Sequence, residues 1–346
     1  MKKLFIFIAI LIIVIGTLAY RTASSAGVFY AIEPHFSGKC EVVPGVIGAE
    51  DITIDHANQY AYISAVDRRV KNATGGIYGL DLTNSTAKPV LLTLGFTDDF
   101  NPHGFSLYIG DNGEQSLFVI NHRADGQQQV DIFDITQPGV LKHRTAISYP
   151  ELTTPNDLVA VGPFQFYATN DHGSDRGSLL RMAEDYIGLP LSNVSYFDGS
   201  KGSIVASGLR YGNGITISSD SKTLYVAEVT GRKINVYNRD LNTGALSKQD
   251  EISVSSGADN LEWDEAGNLW LAGHPRLLDF VAHANDPKNK SPSQVIKINV
   301  SADKPVVTEV FLSTGDDISG STVGAVSGDK LLIGSVYEEF ILRCKL

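Results

Sequence analysis

The chain has 346 residues, of which 43% are hydrophobic, enough apolar material for one large core. Its 39 acidic residues against 28 Lys and Arg give a net charge of −11 with no basic cluster, which excludes nucleic acid as a partner because phosphate neutralisation needs basic surface. The acidity is spread along the chain and fits ordinary solubility.

Met1-Lys2-Lys3 is followed by an uncharged apolar run from Leu4 to Tyr20. A short basic stretch ahead of an apolar segment is the pattern of an export signal. The run is longer than the usual signal core of about 7–15 residues and shorter than the ~20 that span a bilayer comfortably. Ser24-Ser25-Ala26 offers a small-x-small cleavage site. Residues 1–26 are therefore a signal peptide or a signal anchor. Either way the rest of the chain is exported, to be secreted, periplasmic or held at a membrane, with Lys2 and Lys3 on the cytoplasmic side. Residues 27–39 are expected to form a stalk, and residues 40–346, which contain no linker-like stretch, a single domain.

From there the sequence repeats. A small polar cluster opens a short apolar strand at Glu50-Asp51, Asn101-Pro102-His103, Asn156-Asp157, Gly212-Asn213-Gly214, Asp259-Asn260 and Ser321-Thr322. Each opening is followed by a second strand centred on a large residue: Tyr62, Phe118, Tyr167, Tyr225, Trp270 and Leu332. The repeat, at about 45–60 residues with strand and turn signals in each unit, predicts an all-β, six-bladed β-propeller. Period-2 runs such as Gln129–Phe133, Lys233–Tyr237 and Val295–Ile298 supply further strands. One segment breaks the pattern. Leu179, Leu180, Ala183, Tyr186 and Ile187 fall at helical spacing, and Gly188 with Pro190 stops the run, so a short helix is expected after the third blade.

The two cysteines, Cys40 and Cys344, stand at opposite ends of the repeat array. A propeller closes when an N-terminal strand completes the last blade, and an exported chain meets oxidising conditions, so these ends should meet in a Cys40–Cys344 disulfide. Two buried free thiols are the alternative.

In a propeller the innermost strands start at the central channel, so six openings bring six sets of side chains to one axis. Glu50, Asn156, Asn213, Asp259 and Asn260 all offer oxygen, and no zinc-like Cys or His spacing accompanies them. Hard oxygen donors, several of them neutral amides, suit Ca²⁺. Asp51 and Asp157, next in sequence to two of these, point to a second ion deeper in the channel. A turn-forming role for Asx and Gly explains one such opening, but not five at the same phase. His103 shares the axis, and His122 follows the next strand. Histidine beside such an ion provides a general base that titrates near neutral pH.

Several runs resemble the serum paraoxonase/arylesterase family: Asn101-Pro102-His103-Gly104, Val119-Ile120-Asn121-His122, Asn156 to Pro163, Thr169-Asn170-Asp171-His172, Asn213-Gly214-Ile215 and Gly320-Ser321-Thr322-Val323, with the terminal Cys344. The resemblance spans about residue 38 to the C-terminus. It implies a six-bladed propeller with two axial calcium ions that hydrolyses lactones and aryl esters. Glu50, Asn156, Asn213, Asp259 and Asn260 resemble that family's catalytic-calcium ligands. Asp51, Asp157 and the carbonyl of Phe105 resemble the structural ones. His103 and His122 match its histidine dyad, and Tyr211, Thr322 and Val336 its pocket wall. Two departures stand out. Gly273 replaces a free cysteine of the vertebrate members, and the loop Ala65 to Lys71 is shorter and more charged than theirs.

Together these observations lead to the expectation of an exported, calcium-dependent carboxylic ester hydrolase, a lactonase with aryl-ester hydrolysis as its runner-up. A small-molecule lactone or ester is the expected substrate, and the N-terminal segment the expected membrane contact. The rival reading is a non-catalytic, calcium-stabilised propeller that binds a ligand or partner. Condensation of the strictosidine-synthase type is weaker, given the complete ligand set.

Overall fold

The computed structural model describes residues 2–96, 99–302 and 304–346; Met1, the first residue of the predicted leader, lies outside them. These residues form 24 strands and three helices. Four sheets are consecutive antiparallel quartets, running from Pro102 to Ile147, Pro155 to Leu209, Gly212 to Ser253 and Gly257 to Ser313. The repeat predicts six separate sheets, but the other eight strands form one. Within it, the quartet from Ala49 to Leu91 meets the C-terminal quartet through a single residue pair, Ala49 with Ser335.

The first strands of successive quartets lie side by side and close a ring. Ala49–Asp55 adjoins Pro102–Ile109, then come Pro155–Gly162, Gly212–Ile217 and Gly257–Trp263, and Ser321–Ser327 returns to Ala49–Asp55. Apolar side chains fill the wedges between neighbouring quartets: Phe118 and Ile132 pack against Leu158 and Phe166, and Tyr225 and Ile234 against Leu261 and Leu269. The large residues singled out in the second strands are these fillers; Tyr62, Phe118 and Tyr167 have no exposed surface. Burying each such side chain contributes about 1.5–3 kcal/mol, so the ring is held by packing between sheets as well as by their ladders. The fold is an all-β propeller with three helices.

Closure joins the chain ends. Lys39–Pro44 pairs antiparallel with the last strand, Phe340–Lys345, and places Cys40 opposite Cys344, where they form the predicted disulfide. It spans 304 residues of sequence. Replacing both cysteines by serine should lower unfolding free energy by about 2–5 kcal/mol, toward the upper end for so long a loop. Equilibrium denaturation checks this, and an unchanged midpoint would mean that strand pairing alone closes the ring.

Helix α1 (Lys2–Ser25) has no buried residue and, with a mean hydropathy of 2.5, is long and apolar enough to cross a membrane. The chain from Ala26 through the predicted stalk at 27–39 is laid along the propeller. Leu277 N donates to the Ala26 carbonyl (2.9 Å), Tyr30 Oη donates to Glu309 (2.6 Å), and His35 pairs with Leu312 through the backbone.

Helix α2 (Leu179–Ile187) occupies the segment predicted, capped by Ser178, whose hydroxyl accepts from Arg181 N, and stopped by Gly188 at φ 68°. Its position needs correcting. It lies between the second and third strands of the third quartet rather than after that quartet. Helix α3 (Leu277–Asn285), which the sequence reading missed, takes the same place in the fifth quartet. In an antiparallel quartet that connection emerges on the face where the first strand begins, so both helices rise beside the polar openings.

Candidate active site

Every first strand carries a register shift at its polar opening: between Ala49 and Asp51, Pro102 and Phe105, Pro155 and Leu158, Gly212 and Ile215, Ala258 and Leu261, and Ser321 and Val323. A bulge sets two residues against one and re-aims their side chains. Adjacent residues that a flat strand would send to opposite faces are therefore both buried here: Glu50 with Asp51, Asn156 with Asp157, and Asp259 with Asn260.

The two members of each pair do different things. Asp51 accepts from Ile52 N (2.8 Å) and from Phe105 N on the next first strand (3.1 Å). Asp157 repeats this with Leu158 N (2.7 Å) and Ile215 N (2.8 Å). Glu50, Asn156, Asn213 and Asp259 instead line a cavity of about 1310 Å³ over the ring centre, whose walls include Tyr211, Thr322 and Val336. Asn260 donates from its amide nitrogen to the Glu50 carbonyl (2.9 Å) and to Glu50 Oε1 (3.1 Å).

Burial governs the charges. It pushes the Glu50 carboxyl up to about 7, against the pull of Arg68. Asp51 and Asp157 are held well above the usual carboxylate range, first by burial, then by the charge of Glu50 on Asp51 and by those of Asp51 and Glu50 on Asp157. Such a cluster is unfavourable without a cation. Glu50 Oε2 and the amide oxygens of Asn156, Asn213 and Asn260 are buried with no hydrogen-bond donor among the described residues. Four orphaned oxygens around one axis fit a hard cation. Among the described residues no three His, Cys, Asp or Glu side chains converge closely enough to hold a metal alone, so an ion here would need the amides.

His103 and His122 come together beside this cluster, their rings 4.9 Å apart and nearly perpendicular. His103 Nε2 faces Glu50 Oε1 at 3.6 Å, and Arg68 Nη2 donates to His103 Nδ1 at 3.2 Å. An accepting Nδ1 places the imidazole proton on Nε2. Burial holds His103 well below the ordinary histidine range, reinforced by the nearby charges of Arg68 and His122, so it is neutral at pH 7. His122 is lowered mainly by burial as well, and it donates from Nδ1 to the Gln128 side-chain oxygen.

The family model described as Arylesterase matches residues 31–346. The chain belongs to the arylesterase family. The chain is 34% identical to serum paraoxonase/arylesterase 1 of Homo sapiens over 344 residues, 95% of this chain and 94% of that protein. Among solved structures it is similar to a luciferin-regenerating enzyme (TM-score 0.58, 17% identity, 90% of this chain and 96% of the other). It is also similar to a gluconolactonase of Xanthomonas campestris (TM-score 0.56, 16% identity, 92% and 96%). These two likenesses are of fold.

The candidate site contains residues to which the sequence gave no role. Arg68 is the foremost. Asp259 accepts from His274 Nε2 at 3.0 Å, and that ring stacks on Phe280 of α3 at 3.7 Å, so α3 backs a cavity residue. His172 is buried between Asp171 (2.9 Å) and Asp185 of α2 (2.7 Å), and its ring meets Tyr211 edge-on at 4.5 Å. The run Asp171-His172 was visible as part of the family pattern, whereas its tie to α2 depends on the fold.

Two glycines let the openings approach one another. A Cβ on Gly104 would sit 2.4 Å from Asp157 Oδ1, and one on Gly214 would sit 2.4 Å from the Asp259 carbonyl oxygen. The neighbour at Gly214 is backbone and cannot swing away, so Gly214→Ala should separate two first strands and destabilise the protein by about 1–3 kcal/mol. A thermal melt within 1 °C of the parent would contradict that close approach.

Proposed function

We propose that the protein is an exported, calcium-dependent hydrolase of lactones and aryl esters, built on a six-bladed ring in which the eight-stranded sheet serves as two blades. The four orphaned oxygens in the cavity wall, beside a buried histidine pair, carry this reading. Membership of the arylesterase family and its likeness to a serum paraoxonase/arylesterase support the substrate class. The single residue pair joining the two end quartets supports the blade count. Helix α1, as signal peptide or anchor, and the disulfide support export.

In this reading Glu50, Asn156, Asn213, Asp259 and Asn260 hold the ion at the cavity. Asp51, Asp157 and the Phe105 carbonyl hold a second, deeper one. A calcium ion held there would supply Lewis acidity toward the substrate carbonyl. Tyr211, Thr322 and Val336 confine the substrate, and His103 with His122 handles the proton of the attacking water. Arg68 favours a second version, in which His103 acts as an Nε2–H donor and the proton leaves to another group. The test is a panel of lactones of graded chain length plus phenyl acetate, each assayed with calcium and after chelation. Hydrolysis lost on chelation and restored by calcium is expected. Full hydrolysis with calcium verified absent overturns the calcium reading, and no hydrolysis of any member favours a non-catalytic propeller.

A further inference from the structure

Arg68 is half-buried in the cavity wall, and its three hydrogen bonds all go to uncharged acceptors: the carbonyls of Gly48 (3.2 Å) and Pro102 (3.3 Å) and His103 Nδ1 (3.2 Å). No carboxylate forms an ion pair with it among the described residues. Its Nε–H and one Nη1 hydrogen have no acceptor among them. The next residue explains why it stays in place. Arg69 donates to the carbonyls of Ala284 (3.1 Å) and His283 (3.0 Å) at the end of α3 and lies over the Tyr337 ring at 4.4 Å. The loop is thus pinned on both sides, and Arg68 is a fixed cation aimed into a substrate cavity. The acids that feel its charge, Glu50 and Asp259, are those assigned to the proposed ion, whose charge would cancel theirs and leave Arg68 unopposed.

We propose that Arg68 selects substrates with an anionic substituent near the scissile ester or lactone bond, a carboxylate in the first instance. This rests on the hydrolase reading and narrows its substrate class. A preorganised guanidinium binds an oxyanion through charge-assisted hydrogen bonds, the stronger kind, at little further ordering cost.

The experiment compares phenyl hydrogen succinate with its neutral methyl ester by phenol release from the calcium-loaded full chain, and measures succinate binding by calorimetry. The parent should prefer the acid by about tenfold or more in kcat/KM, the usual worth of one such bond. Arg68→Met should erase most of that ratio and weaken succinate binding, even if both rates also fall because His103 loses its partner. Arg68→Lys, which keeps the charge, should retain much of it. A parent with no preference for the acid overturns the proposal whatever the variants do. So does an Arg68→Met that lowers both esters equally, which would leave Arg68 only positioning His103 while the hydrolase reading stands. If neither ester is cleaved but succinate binds in an Arg68-dependent way, the anion site stands and the hydrolase reading falls.

Discussion

Chelating calcium should lower the thermal midpoint much more at pH 8 than at pH 5. In the folded chain burial raises Glu50 from 4.5 to about 7, and Asp51 and Asp157 move in the same direction. The folded state without metal therefore binds more protons than the unfolded one, and its stability falls as pH rises. For Glu50 the loss begins near its unfolded value and is complete above about pH 7, where it amounts to about 3 kcal/mol. Bound calcium should reverse the trend, because Glu50, Asp51 and Asp157 are then wanted as anions, and its affinity should fall below about pH 7 as protons compete. Differential scanning calorimetry at both pH values, with excess calcium and with chelator, gives the four numbers needed. A chelated sample whose midpoint does not drop between pH 5 and pH 8 would show that these acids do not face an empty cation site.

What the sequence made legible follows from which features are periodic. The polar openings could be found because each sits at the same phase of the repeat, at the bulge that begins a first strand. Their large partners could be found because the wedges between sheets need an aromatic or aliphatic filler at that spacing. Helix α2 carries a serine cap, an apolar stripe and a glycine stop, all local signals. Helix α3 lacks the first of these: Arg276 at its start makes no side-chain cap bond, and the preceding strand runs to His274. The fusion of the end quartets rests on one residue pair and leaves no sequence mark. Arg68 was invisible for another reason. Its partners Gly48, Pro102 and His103 come from other segments, so only the folded loop shows that the charge points inward.

Replacing His103 by glutamine should preserve the fold and cut kcat by about 10²–10⁴-fold if the imidazole is the general base. The parent's activity should then rise with pH on a limb below 6.5, not at it, because burial and the charges of Arg68 and His122 keep the ring neutral well into the acid range. That limb should vanish in the variant. The bond from Arg68 to Nδ1 sets up a contrary outcome. If His103 works by presenting its Nε2–H, glutamine can present an N–H from nearly the same place. Its kcat should then stay within about tenfold of the parent. Arg68→Met would separate the cases further, since loss of that donor frees Nδ1 to carry the proton and Nε2 to accept one. A general base would be helped or left alone by this change, whereas a donor would be impaired. The pH–rate profiles of the parent, His103→Gln and Arg68→Met on one good substrate at saturating calcium decide the question. An unchanged kcat and an unchanged acid limb in His103→Gln would rule out the general base, and the same result in His103→Ala would remove His103 from the chemistry and leave Glu50, 3.6 Å away, as the group whose ionisation controls the reaction.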